Sequence, residues 1–363
     1  MGNVAKIRVL VVEDSLTIRR RLAEILENDP ELELVGEAAD GKRAIELCGE
    51  LRPDVVTLDM MLPVLSGVAA TEYIMAYYPT PILIVSASAN RGEVFKTYDA
   101  LAAGAVDVLE KPTGDEPDGE WERRFCAALK LVSRIKVITH LRGRLSAMGR
   151  GPGGLSLPGQ PASVPAPPRA KKLVALGAST GGPAALVDVL RGMPVHPQVP
   201  VIIVLHIDEP FGAAFAGWLD TQTQHRVSYA GDGDSVASYA GRVALAPPGR
   251  HLIVHGQRFH LAMDAPRHSC RPSIDVLFES LARESGSATA ACLLTGMGRD
   301  GASGLLEIRR AGGTTIAQDE STSVVYGMPR EAMLLGAASQ VLPLSLIGPA
   351  LASALVPKEG PPR

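Results

Sequence analysis

The sequence predicts an α/β chain made of two doubly wound units. Three observations lead there. In the first half, short runs of Val, Ile and Leu alternate with segments of helical period. A stretch rich in Gly, Pro, Ala and Ser then breaks the pattern, and beyond it a new apolar run ends in a glycine-rich turn. Continuous aliphatic strands separated by helices mean parallel sheets covered on both faces. Such sheets bind ligands beyond the carboxyl ends of their strands, so the residues at those ends carry the functional reading.

Taken in order, strands are expected at Ile7–Val12, Leu32–Glu37, Val55–Leu58, Ile82–Val85 and Val106–Leu109, with helical periodicity between them, as in Ser15–Asn28 and Arg43–Leu51. Residues 149–170 read GRGPGGLSLPGQPASVPAPPRA, which has no hydrophobic period and is linker chemistry. After it come a strand at Lys171–Gly177, a helical segment from Ala184, a strand at Val201–Leu205 and a short apolar run at Ala290–Leu294.

A length of 363 residues suits two domains, and 46% hydrophobic against 21% charged residues excludes wholesale disorder. The formal net charge of −3 is unevenly spread. Residues 1–148 carry 18 basic and 23 acidic side chains, the linker adds two arginines, and residues 171–363 carry 16 of each sign. A DNA-binding second domain should be basic, so a transcription-factor reading is disfavoured and no nucleic-acid partner is expected. Cys48, Cys126, Cys270 and Cys292 lie far apart with no CxxC pair, which argues against a structural zinc site or a disulfide framework. The N-terminus has no signal-like apolar region. Pro343 and Pro349 interrupt the apolar segment 334–356, so membrane insertion is not expected and the base reading is a soluble cytoplasmic protein.

Glu13 and Asp14 follow the first strand, Asp59 the third, Ser86 the fourth and Lys111 the fifth. All five should meet on one rim. Three carboxylates in one pocket repel one another unless a cation or proton intervenes, and a hard divalent ion such as Mg²⁺ suits carboxylates, a carbonyl and waters. Asp59 can then attack a phosphoryl donor, with the Ser86 hydroxyl and the Lys111 ammonium suited to hold the phosphoryl oxygens. The segments VLVVEDS, PDVVTLDMMLP, ILIVSA and GAVDVLEKP closely resemble the receiver domain of two-component response regulators, over residues 5–138. The resemblance implies a flavodoxin-like sheet of order 2-1-3-4-5 and phosphorylation of Asp59 by a histidine kinase. It also implies Mg²⁺ ligation by Glu13, Asp14, Asp59 and the backbone carbonyl of Met61. Val108 departs from the pattern, standing where many receivers carry a switching aromatic.

In the second half, Gly177-Ala178-Ser179-Thr180-Gly181 fits G-x-S-x-G, a turn that presents a serine at a helix N-terminus. A nucleotide-phosphate loop fails because Ser179 takes the second glycine position and no GK[ST] follows. His206 ends the run Val201–Leu205, which puts an imidazole at a strand end beside Ser179 if the two strands are parallel neighbours. Asp300, in the loop after Ala290–Leu294, can orient that imidazole. The order Ser179, His206, Asp300 differs from the Ser, Asp, His order of α/β-hydrolases. His251 and His255, four apart in a strand-and-turn pattern, read as a strand face with no nearby acidic ligand rather than a metal site.

Residues 171–357 closely resemble the catalytic domain of chemotaxis protein-glutamate methylesterases (CheB), through GASTGGP, GDG, VALAPPGRHL, RPSIDVLFESLA, LLTGMGRDGASGL, TIAQDE and SVVYGMPREA. The resemblance implies a second doubly wound α/β domain, with Ser179 as nucleophile, His206 as general base and acid, and Asp300 as orienting carboxylate. It places Thr180 and Met297 near the oxyanion and calls for no cofactor in the esterase site. Leu205 and Ile207 depart from the residues the family usually places beside the histidine. Residues 139–170 would tether the two domains. The expected substrate is the cytoplasmic domain of methyl-accepting chemoreceptors and the expected phosphodonor a chemotaxis histidine kinase, with glutamine deamidation as a second activity. In the unphosphorylated state the receiver is expected to cover the Ser179 groove. The rival readings are a catalytically weak receptor-docking response regulator and an esterase of small-molecule esters.

Overall fold

The computed structural model describes residues 5–87, 91–112, 117, 119–135, 137, 173–207 and 211–355. The linker at 149–170 and the tail 357–363 lie outside them. The described residues form two compact units. One holds residues up to 137 with 180–185 and 211–218, and the other holds 173–179, 186–207 and 219–355.

The first unit contains a five-stranded sheet of β1 (Ile7–Val12), β2 (Leu32–Ala38), β3 (Val55–Leu58), β4 (Ile82–Ser86) and β5 (Asp107–Glu110). Its order is β2-β1-β3-β4-β5, parallel throughout, as the resemblance implied. Helices α1 (Leu16–Glu27), α2 (Gly41–Leu51), α3 (Gly67–Tyr77), α4 (Arg91–Ala102) and α5 (Glu120–Val132) alternate with the strands. The starts of α2 and α3 are set by side-chain caps: Arg43 N–H donates to Asp40 Oδ1 at 2.8 Å, and Ala69 N–H to Ser66 Oγ at 3.3 Å. Such caps satisfy helix N–H groups that have no intrahelical acceptor. β3 and β4 are buried along their whole length, which explains their unbroken aliphatic sequence.

The second unit is organised by a seven-stranded sheet. Its strands are β6 (Leu173–Ala178), β7 (Val201–Leu205), β8 (Arg226–Tyr229), β9 (Arg242–Leu245), β12 (Thr289–Leu293), β13 (Thr314–Gln318) and β14 (Gln340–Leu342). They lie in the order β14-β13-β12-β6-β7-β9-β8, parallel at every pairing. A separate antiparallel hairpin pairs β10 (His251–His255) with β11 (Arg258–Ala262). The helices that follow the linker in sequence are α6 (Gly182–Gly192), α7 (Phe211–Gln222), α8 (Ile274–Glu284), α9 (Ala302–Arg310), α10 (Met328–Leu334) and α11 (Leu344–Leu355). The helix expected from Ala184 starts two residues earlier, because Pro183 in a first turn gives up only an N–H that would be unpaired there anyway. Ile202, Val204, Phe259, Leu277, Phe278, Leu293, Leu305 and Ile308 fall in one buried core. The apolar C-terminal segment divides into α10, β14 and α11, and no helix among the described residues is long and apolar enough to cross a membrane.

One glycine ties the first sheet to its rim. A Cβ at Gly67, which opens α3, would lie 2.4 Å from the Asp59 carbonyl oxygen and 2.8 Å from Met60 Cα. Both obstacles are backbone, so the Asp59 loop can close only over a glycine. Gly67→Ala should lower the stability of the intact chain by about 1–3 kcal/mol, as overpacking does. An unchanged thermal midpoint would mean that the loop yields without cost.

Candidate functional site

The first cluster lies at the carboxyl ends of β1, β3, β4 and β5. Val12 pairs with Leu58 across β1 and β3, and Ser86 with Glu110 across β4 and β5. Glu13, Asp14, Asp59, Ser86 and Lys111 are therefore at one end of the sheet. Carboxylate oxygens of Glu13, Asp14 and Asp59 all lie within 4.8 Å of one another. Lys111 Nζ bridges two of them, at 2.8 Å from Glu13 Oε2 and 2.9 Å from Asp59 Oδ2. Asp59 Oδ1 accepts from the Met60 N–H at 2.7 Å. Burial raises the pKa of Glu13, reinforced by the Asp59 charge and opposed by Lys111. Lys111 titrates above its usual range: burial works against its charge, but the hydrogen bonds and charges of Glu13 and Asp59 outweigh it. The donor set is all carboxylate oxygen and includes exposed Asp14, which fits a hard cation such as Mg²⁺. Met61 lies two residues beyond Asp59, with its side chain exposed and its sulfur 3.4 Å from Lys96 Nζ. Ser86 is fully buried at the end of β4, and Val108 is half-buried in β5.

The second cluster is assembled at the centre of the larger sheet. Ala178 pairs with Leu205 across β6 and β7, so Ser179 and His206 each stand one residue past a paired position. The His206 N–H donates to the Ala178 carbonyl at 3.0 Å, and the Ser179 N–H to the Thr295 carbonyl at 3.0 Å. Three strand ends are thereby stitched together. His206 Nε2 lies 2.8 Å from Asp300 Oδ2. Among the described residues no hydrogen bond joins Ser179 to His206, and Nδ1, the ring nitrogen not engaged by Asp300, faces Cys270 Sγ at 3.5 Å. Leu205 is buried, whereas Ile207 is half-buried.

Asp300 is held by more than the imidazole. It accepts from Ser273 Oγ at 2.8 Å, from the Ile274 N–H at 2.7 Å and from the Asp275 N–H at 3.1 Å. These donors are the N-cap and first turn of α8, where free amides and the helix dipole favour an anion. Burial tends to raise the Asp300 pKa, but His206 and the α8 donors win and hold it below the usual carboxylate range. For His206, burial opposes the charged form, yet Asp300 and then Cys270 push its pKa up to about 9. The resting pair at neutral pH is imidazolium and carboxylate.

Glycines allow the approach. A Cβ on Gly177 would lie 2.4 Å from Ile274 Cγ2, so only glycine lets α8 start directly against β6. A Cβ on Gly296 would lie 2.6 Å from Ser179 Cβ. The loop after β12 is fixed by Gln318, whose Oε1 accepts from the Thr295 N–H at 2.8 Å. Thr180 follows Ser179 in the turn before α6. Met297 is half-exposed and lines a cleft of about 590 Å³ together with Cys270, Arg299, Asp300 and Glu331.

Sequence reasoning singled out Ser179, His206 and Asp300 but missed the start of α8, Cys270 and Gly296. The first had a readable signal, since Ser273 precedes the amphipathic run IDVLFESLA as an N-cap should. Cys270 had none, because its approach to His206 depends on a hairpin turn 64 residues away in sequence. One expectation is corrected. His255 does have an acidic neighbour, Glu284 Oε1 at 3.1 Å from Nδ1, because α8 runs alongside β10. His251 is buried and turned to backbone, with Nδ1 accepting from the Ser273 N–H at 3.1 Å, so the two do not form a ligand pair.

Comparison with known proteins places these clusters in a family. Residues 174–351 match the CheB methylesterase family and residues 9–117 the response regulator receiver domain family. The chain is 42% identical over 350 residues to a protein-glutamate methylesterase/protein-glutamine glutaminase of Anaeromyxobacter dehalogenans, covering 96% of this chain and 97% of that one. A protein of the same name from Pseudomonas aeruginosa is 44% identical over 358 residues, covering 95% and 96%. The solved CheB methylesterase catalytic domain of Thermotoga maritima is 34% identical and covers 51% of this chain and 99% of its own, with a TM-score of 0.48. The two family matches in one chain, with relatives above 40% identity over 95% or more of its length, show that this protein belongs to the CheB family of receiver-linked methylesterases.

Proposed function

We propose that this chain is a phosphorylation-activated serine hydrolase that removes the methyl group from glutamate methyl esters on methyl-accepting chemoreceptors, and that it also deamidates glutamines there. The observation that carries the reading is the buried His206–Asp300 pair, 2.8 Å apart, at the strand end beside Ser179. Ser179 Oγ attacks the γ-carbonyl carbon while His206 accepts its proton at Nδ1. The tetrahedral intermediate collapses as methanol leaves with a proton returned by the imidazolium. Water, deprotonated by the same nitrogen, then releases the glutamate. A side-chain amide follows the same course with ammonia as leaving group. Asp300, already ionised and fixed by α8, holds the ring and stabilises its positive charge. The Thr180 turn and the Met297 loop border the developing oxyanion, and fixed donors at such a position are typically worth about 3–4 kcal/mol each.

The receiver supplies the switch. Glu13, Asp14, Asp59 and the Met61 carbonyl would hold Mg²⁺, which when bound offsets the charge of the carboxylates and of the incoming phosphoryl group. Asp59 takes the phosphoryl group from a chemotaxis histidine kinase, and Lys111 and Ser86 turn to its oxygens. The added charge of about −1.5 to −2 draws Lys111 away from Glu13, a local change able to bias a two-state element that raises turnover at Ser179. Residues 5–138 form the receiver, 139–170 the tether and 171–357 the methylesterase domain. The protein acts in the cytoplasm, where it meets the receptor's cytoplasmic domain.

Methanol release from a methylated receptor should be lost in Ser179→Ala, whereas hydrolysis of small esters without receptor demethylation would overturn the assignment. Incubation with acetyl phosphate and Mg²⁺ should add one phosphoryl mass to the wild type and none to Asp59→Asn. It should also raise the demethylation rate of the wild type alone. The base form of His206 becomes abundant only as pH approaches about 9, so demethylation should rise with pH up to that region. In Asp300→Asn the rising limb should move down toward pH 6.5, the ordinary imidazole value, and the maximal rate should fall on the order of 10³–10⁴. The same pairing stabilises the fold below pH 6.5, and the contribution fades as pH rises through about 9.

A further inference from the structure

Cys270 forms and breaks no bond in the reaction above, although with Asp300 it raises the pKa of His206, and a tight turn fixes its position. Arg267 and Cys270 exchange two backbone hydrogen bonds, of 3.1 and 2.9 Å, around His268 and Ser269. Both central residues have positive φ, 51° and 63°. This is the two-residue hairpin turn that normally takes Asn-Gly. Residues with side chains are strained in the left-handed region, so the turn is held by its surroundings. The turn brings the half-exposed Cys270 Sγ to 3.5 Å from His206 Nδ1, at the wall of the 590 Å³ cleft. Sγ, a ring nitrogen of His206 and a carboxylate oxygen of Asp300 all lie within 4.8 Å of one another.

That spacing is informative. Tetrahedral zinc binds sulfur at about 2.3 Å and imidazole nitrogen at about 2.0–2.1 Å, which sets the two donors about 3.6 Å apart. The Cys270–His206 separation already matches that edge, so a cation would replace the proton between sulfur and Nδ1 with little movement. Thiolate and imidazole form a borderline-soft pair that selects Zn²⁺ over Mg²⁺, with Asp300 holding the ring from Nε2 on its other edge. The all-oxygen cluster of Glu13, Asp14 and Asp59 has the opposite preference. One chain would thus carry two sites that sort divalent cations by hardness.

We propose that Cys270 and His206, with Asp300 adjacent and cleft water completing the shell, form a reversible inhibitory site for Zn²⁺. The cation takes Nδ1, the nitrogen assigned to the Ser179 proton, so the occupied site cannot demethylate. The activity half of this proposal rests on the function given above, and the binding half does not.

The test uses the intact, chelator-stripped chain. Co²⁺ alone, as a spectroscopic stand-in for Zn²⁺, should give a thiolate-to-cobalt charge-transfer band that Zn²⁺ abolishes. The band should be absent in Cys270→Ser and in His206→Gln. Demethylation by the wild type should be lost in Zn²⁺ and restored by chelator, while the rate of Cys270→Ser, whatever its level in chelator, should be the same in Zn²⁺. Absence of the band in the wild type, its persistence in Cys270→Ser, or equal zinc inhibition of both proteins would overturn the site. A normal cobalt band in a chain that demethylates no receptor would leave the site standing and overturn the proposed activity instead.

Discussion

The structure of the larger sheet depends on where one buried charge is kept. Asp300 is 1% exposed, and a lone carboxylate in such surroundings would neutralise itself. It stays ionised because α8 begins directly beneath it and supplies a hydroxyl and two amides, with the imidazole on the far side. Every neighbouring feature serves that arrangement. Gly177 lets α8 reach β6, Gly301 with φ of 87° turns the chain into α9, and Asp275 Oδ1 accepts from the Gly304 N–H at 2.7 Å. Helix α9 is thereby fixed to the same helix end that fixes Asp300.

The receiver rim solves the same problem by other means. Glu13 and Asp59 are almost fully buried and each accepts one backbone N–H, from Ser15 and Met60, while a single ammonium is shared between the two. The difference suits the two sites. Amides of a helix are fixed and cannot leave, which gives a permanent catalytic geometry. A lysine on a flexible stem can change partners, which gives a switch. Under the function proposed above, a cation or a phosphoryl group would alter the partners of Lys111, whereas those of Asp300 stay tied to the start of α8.

Much of this was legible in the sequence. Aliphatic runs located β1, β3 and β7 to the residue, because strands buried on both faces leave no room for polar interruption. Strand ends then named Asp59, Lys111, Ser179 and His206. Edges moved where polar residues pair by backbone alone: β5 begins at Asp107 and ends at Glu110, one residue later than its apolar run. The sequence could not reveal which nitrogen of His206 would meet Asp300, or that a thiol would meet the other. Those facts depend on ring orientation and on a turn whose left-handed residues, His268 and Ser269, are not the kind that announce it.

The order of strands in the larger sheet has a consequence for biosynthesis. β6 lies between β7 and β12, and β12 is followed by the loop that carries Asp300. Ser179 and His206 leave the ribosome early, but the strand completing the sheet on their other side ends at Leu293. Until that strand inserts, Ser179 lacks the Thr295 carbonyl that fixes its backbone, and His206 lacks the carboxylate that raises its basicity. Pairing this distant in sequence forms late, after the entropy of closing the intervening loops has been met. The nascent chain therefore displays Ser179 for more than a hundred residues of synthesis before its partners in the sheet exist, whereas every strand of the receiver has been made by Glu110. The switch is in place before there is anything to switch.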